Sequence, residues 1–242
     1  MKCPGQDTRY WKPGDIFDFK CPKCDSLMEF FKDDSQRTCK KCGSKVLNPG
    51  KDFGCATYCK YAKECLTELP PEILAERKSL LKDRVAIEMK RYFGHDFKRI
   101  GHACNVARYA EKILEKEGGD MAVVLISAYL HDIGIKEAEK KYRSSETCYH
   151  EELGPSVARE ILESLSADPR LIDEVADIIG HHHNPKNEET NNFKILYDAD
   201  MIVNLDEKQK NDPLDRDAID KFIGTNFLTE TGKTVARNIF LS

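Results

Sequence analysis

Four cysteines in the stretch CPKCDSLMEFFKDDSQRTCKKCG have the spacing of a metal site. Two residues separate Cys21 from Cys24, two separate Cys39 from Cys42, and Gly43 follows the second pair. Such spacing lets backbone amides face the thiolate sulfurs while four sulfurs close a tetrahedron about zinc, with the glycine permitting the tight turn. The runs SLMEFF and SQRTC between the pairs suit short strands, so a small β-rich, zinc-ribbon-like module is expected. A shell of four thiolates leaves no open position for chemistry, which makes the site structural or a recognition element. Cys3, Cys55, Cys59 and Cys65 sum to a second tetrahedral set, able to hold a second zinc or a 4Fe-4S cluster. The competing reading places Cys55, Cys59 and Cys65 on the buried face of a short helix.

Histidine has the opposite distribution. All seven lie between His95 and His183, and the candidates for chemistry are His102, the His131-Asp132 pair, His150, the run His181-His182-His183, and Asp198 and Asp200 in LYDADMIVN. His95 reads as a satisfied core histidine rather than a ligand. His102, His131 and His150 sit beside apolar or small helical positions, where unpaired imidazoles and carboxylates are costly unless neutralised by one another or by a cation. Neutral imidazoles mixed with ionised carboxylates suit zinc, manganese or iron. His131 and Asp132 are adjacent, so both reach one metal only if a helix points its end at the site.

The elements that must position these groups are helices. MAVVLISAYL, just before His131, is apolar nearly all round and follows a capping Asp120, which predicts a central helix surrounded by others. FKRIGHACNVARYAEKILEKEGG keeps Ile100, Ala103, Val106, Ala107, Ala110, Ile113 and Leu114 on one face and stops at Gly118-Gly119. Further helices are expected over GPSVAREILESL, DPRLIDEVADIIGHHH, FKILYDADMIVNL, RDAIDKFI and TGKTVARNIF. TELPPEILAERKSLL, with Pro70-Pro71 suiting a helix start, marks the boundary between a Cys-rich module over 1–66 and a helical domain over 67–242. The fold class is therefore mainly α, a helical bundle preceded by the small β-rich module.

RIGHACNVA, AYLHDIG and LYDADMI, in that order within a helical region, resemble the HD-domain metal-dependent phosphohydrolase superfamily over roughly residues 90–205. The resemblance implies an HD-domain helical bundle and His102, His131, Asp132 and, by position within DAD, Asp200 rather than Asp198 as metal ligands. HEELG and IIGHHHNP resemble the additional motifs of two-metal members. This implies His150, His181 and His182 as second-metal ligands with Asp132 bridging, and leaves His183 as one histidine more than the pattern uses. HHHNPKNEE lacks the glycines of the cyclic-di-GMP hydrolases, so that subfamily is not supported.

The resemblance implies hydrolysis of a phosphate ester in a nucleotide or other small phosphorylated metabolite, with one or two divalent ions of Mn, Fe, Ni, Co or Zn. Lys98 and Arg99, about one turn before His102, Lys136 after the HD pair, and Arg143 are the positive groups expected to assist phosphate binding and its transition state. The alternatives are a di-iron oxygenase on the same scaffold and a nucleotide-sensing or nucleic-acid-binding module. The segment before residue 66 is mildly basic and the remainder acidic, which permits a nucleic-acid or protein partner for the ribbon without demanding one. An oligomer is equally permitted. MAVVLISAYL is about half the length of a membrane span, and MKCPGQDTRYW lacks a signal-peptide layout, so no membrane partner and a cytoplasmic location are expected.

Overall fold

The computed structural model describes residues 14–32, 34–50, 56 and 80–242. Cys3, Cys55, Cys59 and Cys65, the Pro70-Pro71 helix start and the boundary at residue 66 lie outside the described residues. The chain divides into two compact units, Met1–Lys78 and Ser79–Ser242.

In the first unit, β1 (Ile16–Lys20) pairs antiparallel with β2 (Leu27–Phe31), and β3 (Gln36–Thr38) pairs antiparallel with β4 (Lys45–Leu47). Period-two alternation in LMEFF turns Met28 and Phe30 inward, where they pack with Cys21, Cys39 and Val46 under Phe17 and Phe19. The two Cys-x2-Cys turns are built alike. Cys21 N donates to Ser26 O at 2.9 Å and Cys39 N to Ser44 O at 2.8 Å, while Asp25 N and Gly43 N return to the carbonyls of Cys21 and Cys39, both at 2.9 Å. Each turn needs a left-handed residue after its second cysteine. Gly43 (φ 71°) supplies one, and Asp25 (φ 53°), of a type that tolerates this region, supplies the other.

The second unit is helical: α1 (Leu81–Phe93), α2 (Phe97–Glu117), α3 (Met121–Leu130), α4 (Ile135–Tyr142), α5 (Thr147–Ser164), α6 (Pro169–Ile179), α7 (Asn191–Asn211), α8 (Arg216–Asn226) and α9 (Glu230–Phe240). Helix α3 is central, packed by α1, α2, α6 and α7. Its residues from Val123 to Ala128, with Leu130, are buried, as an element apolar on all sides must be. Asp120 starts it by accepting from Ala122 N and Val123 N, and α2 stops at Gly118 in the left-handed region.

Two expectations shift. Helix α5 begins at Thr147 rather than at Gly154, so HEELG and GPSVAREILESL form one helix with Pro155 inside it. Helix α6 ends at Ile179, which puts the three consecutive histidines in a turn instead of on the helix. Among the described residues, no helix is long and apolar enough to cross a membrane.

Candidate metal centre

Five elements bring their ligand-bearing residues together. Helix α2 gives His102, the end of α3 gives His131 and Asp132, and the first turn of α5 gives His150. The turn after α6 gives His182 and His183, and α7 gives Asp200. The potential ligand atoms fall into two groups, His102 with His131 and Asp200, and Asp132 with His150, His182 and His183. Within each group they lie within 4.8 Å of one another.

Asp132 faces both groups. Its Oδ2 is 3.4 Å from His131 Nε2 and 3.8 Å from His102 Nε2, while its Oδ1 is 3.6 Å from His150 Nε2 and 3.8 Å from His182 Nε2. The close approach of two glycines sets this geometry. A Cβ on Gly134, just after the pair, would lie 2.6 Å from Gly154 N, so the chain after α3 passes directly against the backbone of α5.

The imidazoles are oriented from behind. His131 Nδ1 donates to Ala128 O at 2.9 Å, His182 Nδ1 to Ile179 O at 2.8 Å and His150 Nδ1 to Ser145 O at 3.3 Å. With Nδ1 carrying the hydrogen, Nε2 carries the lone pair, the arrangement in which imidazole binds a metal. His131 Nε2 and His182 Nε2 are fully buried and have no hydrogen-bond partner. Buried polar atoms are rarely left so, and two of them aimed at carboxylates in one pocket fit a divalent cation. His150 Nε2 and His183 Nε2 lie 3.2 Å apart, again two ring nitrogens converging on one point.

The electrostatics agree with that donor set. Burial alone would raise the Asp132 carboxyl, but His131 and His182 outweigh it and hold it well below the usual carboxylate range. Asp200 is likewise lowered, with His102 and His131 overcoming its burial. His131 shows the reciprocal effect: burial opposes its charge, yet Asp132 and Asp200 push it up to about 9, so without an ion between them it holds a proton that a cation at Nε2 would displace. In the other group burial prevails, lowering His150 and taking His183, beside His182, down to about 4. The carboxylates thus stay ionised at neutral pH while His150 and His183 keep neutral nitrogens available.

Residues 99–205 match the family model for the HD domain. The helical unit contains an HD domain. The His131-Asp132 pair lies where its two ligand groups meet. Solved structures similar to the chain include a predicted HD superfamily hydrolase from an uncultured Thermotogales bacterium. It is 26% identical, with 70% of this chain and 90% of that one covered and a TM-score of 0.49. The Lin1889 protein from Listeria innocua is 19% identical, with 66% and 91% covered and a TM-score of 0.43. No curated protein matches the chain.

Within the HD domain, two sequence alternatives are separated by geometry. His181 lies outside both ligand groups: its Nδ1 is 2.6 Å from Asp177 O, its Nε2 is 3.1 Å from Glu189 Oε1, and its ring stacks on Phe193. Consecutive residues in a turn diverge, so His181 points back along α6, and His183 joins His182 at the centre. Asp200 sits in the ligand group, whereas Asp198, two positions back and so across the helix, accepts from Leu228 N, Thr229 N and the Thr229 hydroxyl. Burial raises Asp198 to about 6 against those hydrogen bonds.

Sequence reasoning missed Glu151. This buried carboxylate accepts from His183 N and Asn184 Nδ2, both at 2.8 Å, and so fixes the histidine turn. Nothing in HEELG distinguishes it from a solvent-facing glutamate.

The four expected cations are placed differently from one another. Arg99 bridges Asp96 at 2.8 Å and Glu139 at 3.1 Å; Lys136 donates to Tyr92 O at 2.7 Å and lies over the Tyr92 ring. Lys98 is exposed, and Arg143 ends α4 in the left-handed region at φ 55°. His95 stands outside both ligand groups and is exposed, edge-on to Phe97, rather than in the core as expected.

In the first unit the sulfurs of Cys21, Cys24, Cys39 and Cys42 form a cluster, with Cys21 and Cys42 at 3.6 Å and Cys24 and Cys39 at 3.6 Å. Ser26 and Ser44, one in each turn, contact sulfurs of both cysteine pairs. The Ser26 hydroxyl, the largest influence on Cys39, helps to lower that thiol to about 6. Four converging soft ligands fit zinc.

Proposed function

We propose that this chain is a metal-dependent phosphohydrolase acting on a nucleotide or another small phosphorylated metabolite at a two-metal centre. One ion would be held by His102, His131, Asp200 and Asp132, the other by Asp132, His150, His182 and His183. Cys21, Cys24, Cys39 and Cys42 would hold a structural zinc. The observation that carries the reading is Asp132, which directs one oxygen to each group, Oδ2 toward His131 Nε2 and Oδ1 toward His182 Nε2, two buried imidazole nitrogens without a hydrogen-bond partner.

Divalent ions in such a pair generate a nucleophile from water near neutral pH and neutralise the oxygens of a phosphoryl group. The chain's part is positional. The main-chain carbonyls of Ala128, Ile179 and Ser145 keep three Nε2 atoms facing inward, and Asp132 fixes the separation of the two groups. Arg99 and Lys136 brace α2 and α4 through their protein partners. Lys98 and Arg143 make no ion pair with the described residues and are the cations assigned to the substrate phosphate.

The test is hydrolysis of a nucleotide and sugar-phosphate panel with Mn, Ni or Co added. Phosphate release should fall by more than ~100-fold in Asp132→Ala, beyond what loss of an outer-shell partner produces. Inactivity across the panel, or full activity in Asp132→Ala, would overturn the proposal. An oxygenase forecasts something else: two irons with a mixed-valent signal and oxygen consumption.

A further inference from the structure

We propose that Glu207 is a positioning residue for the metal centre, holding the His102 imidazole so that Nε2 faces the ion; this rests on the two-metal reading. His131, His150 and His182 are each oriented by a main-chain carbonyl three to five residues away in sequence. His102 is held otherwise. It sits within α2, whose carbonyls are used by the helix, and its Nδ1 lies 3.2 Å from Glu207 Oε1 on α7, 105 residues further along the chain. Its Nε2 is 3.0 Å from Asp200 Oδ1, on the side of the other ligands.

Helix α7 presents three residues on one face for this purpose, Asp200, Asn204 and Glu207, at spacings of four and three. Asp200 is the ligand. Asn204 Nδ2 donates to its Oδ2 at 2.9 Å, and Glu207 accepts from the neighbouring ligand. A carboxylate is a stronger acceptor than a carbonyl and makes the imidazole it holds a better donor to metal. The Glu207 side chain is 41% exposed while His102 is 12% exposed, so the contact closes the outer edge of the centre against water. Of these four imidazole anchors, it alone is a side chain and can be removed by substitution. A plain surface ion pair between Glu207 and His102 would leave metal binding unchanged.

The experiment uses the full chain with its cysteine sites loaded with zinc, titrated with Mn2+ while the six-line paramagnetic resonance signal of the free ion is followed. Wild type should take up two ions. Glu207→Ala should weaken one of them by about 10–100-fold and leave the other within about twofold. Glu207→Gln, which keeps a neutral acceptor, should fall between. Both ions bound by Glu207→Ala within about twofold of wild type would refute the role. A wild type that binds one ion, weakened in Glu207→Ala, overturns the two-metal reading and keeps Glu207. A wild type that binds none overturns both.

Discussion

At the scale of single residues, neighbours in sequence carry opposite duties. His181 anchors the segment after α6 to Glu189 and Phe193, while His182 and His183 turn to the centre. His183→Ala should therefore lose one of two bound ions, measured by metal content after dialysis. His181→Ala should keep both and lower stability by ~1 kcal/mol from the lost stacking. Retention of both ions in His183→Ala would contradict this assignment. Asp198 and Asp200 divide in the same way. Asp198→Ala leaves Leu228 N, Thr229 N and the Thr229 hydroxyl without their shared acceptor, and should cost about 3 kcal/mol in denaturant unfolding while metal content stays unchanged.

At the scale of elements, the centre depends on how closely helices approach. Gly134 meets α5 backbone to backbone, and a Cβ there would lie 2.8 Å from Gly154 Cα, with no flexible side chain to yield. Gly134→Ala should destabilise the helical unit by ~2 kcal/mol or more and displace His150. Gly101, beside His102 in α2, is different: a Cβ there would meet nothing within 4 Å. Gly101→Ala should instead stabilise by ~0.5–1 kcal/mol, because alanine loses less backbone entropy in a helix. Thermal unfolding of the two variants checks both signs. The same elements show why periodicity found the helices but misplaced some ends. Gly154-Pro155 reads as a start signal, yet α5 carries through it, since the glycine is there for the approach of Gly134.

At the scale of the whole molecule, each unit has its own core. Among the described residues, Cys21, Met28, Phe30, Cys39 and Val46 form one, and the apolar faces of the helices around α3 form the other. With Cys21 and Cys39 themselves inside the front core, metal binding at the four cysteines is expected to contribute folding free energy there. Calorimetry should show two transitions. Cys39→Ser should abolish the one belonging to the front unit and leave the helical transition within about 1 °C, under the ~2–4 °C that a 1 kcal/mol change gives a domain of that size. A single transition lost as a whole would show that the units do not unfold separately.

The sequence alone carried the candidate ligand types, the Cys-x2-Cys pairs, the central apolar helix and the order H, HD, D, because metal chemistry and hydrophobic burial restrict which residues suit those positions. It also carried the helical fold class, through periodicity in α2 and the uniform apolarity of α3. Only the tertiary structure decided which two histidines of the triplet turn inward, that Asp200 and not Asp198 faces them, and that Glu151, Asn204 and Glu207 contact His183, Asp200 and His102. Those choices depend on the direction of a side chain in a turn or on contacts between helices far apart in sequence. Local spacing does not encode either, because the partner that fixes each orientation arrives from another element.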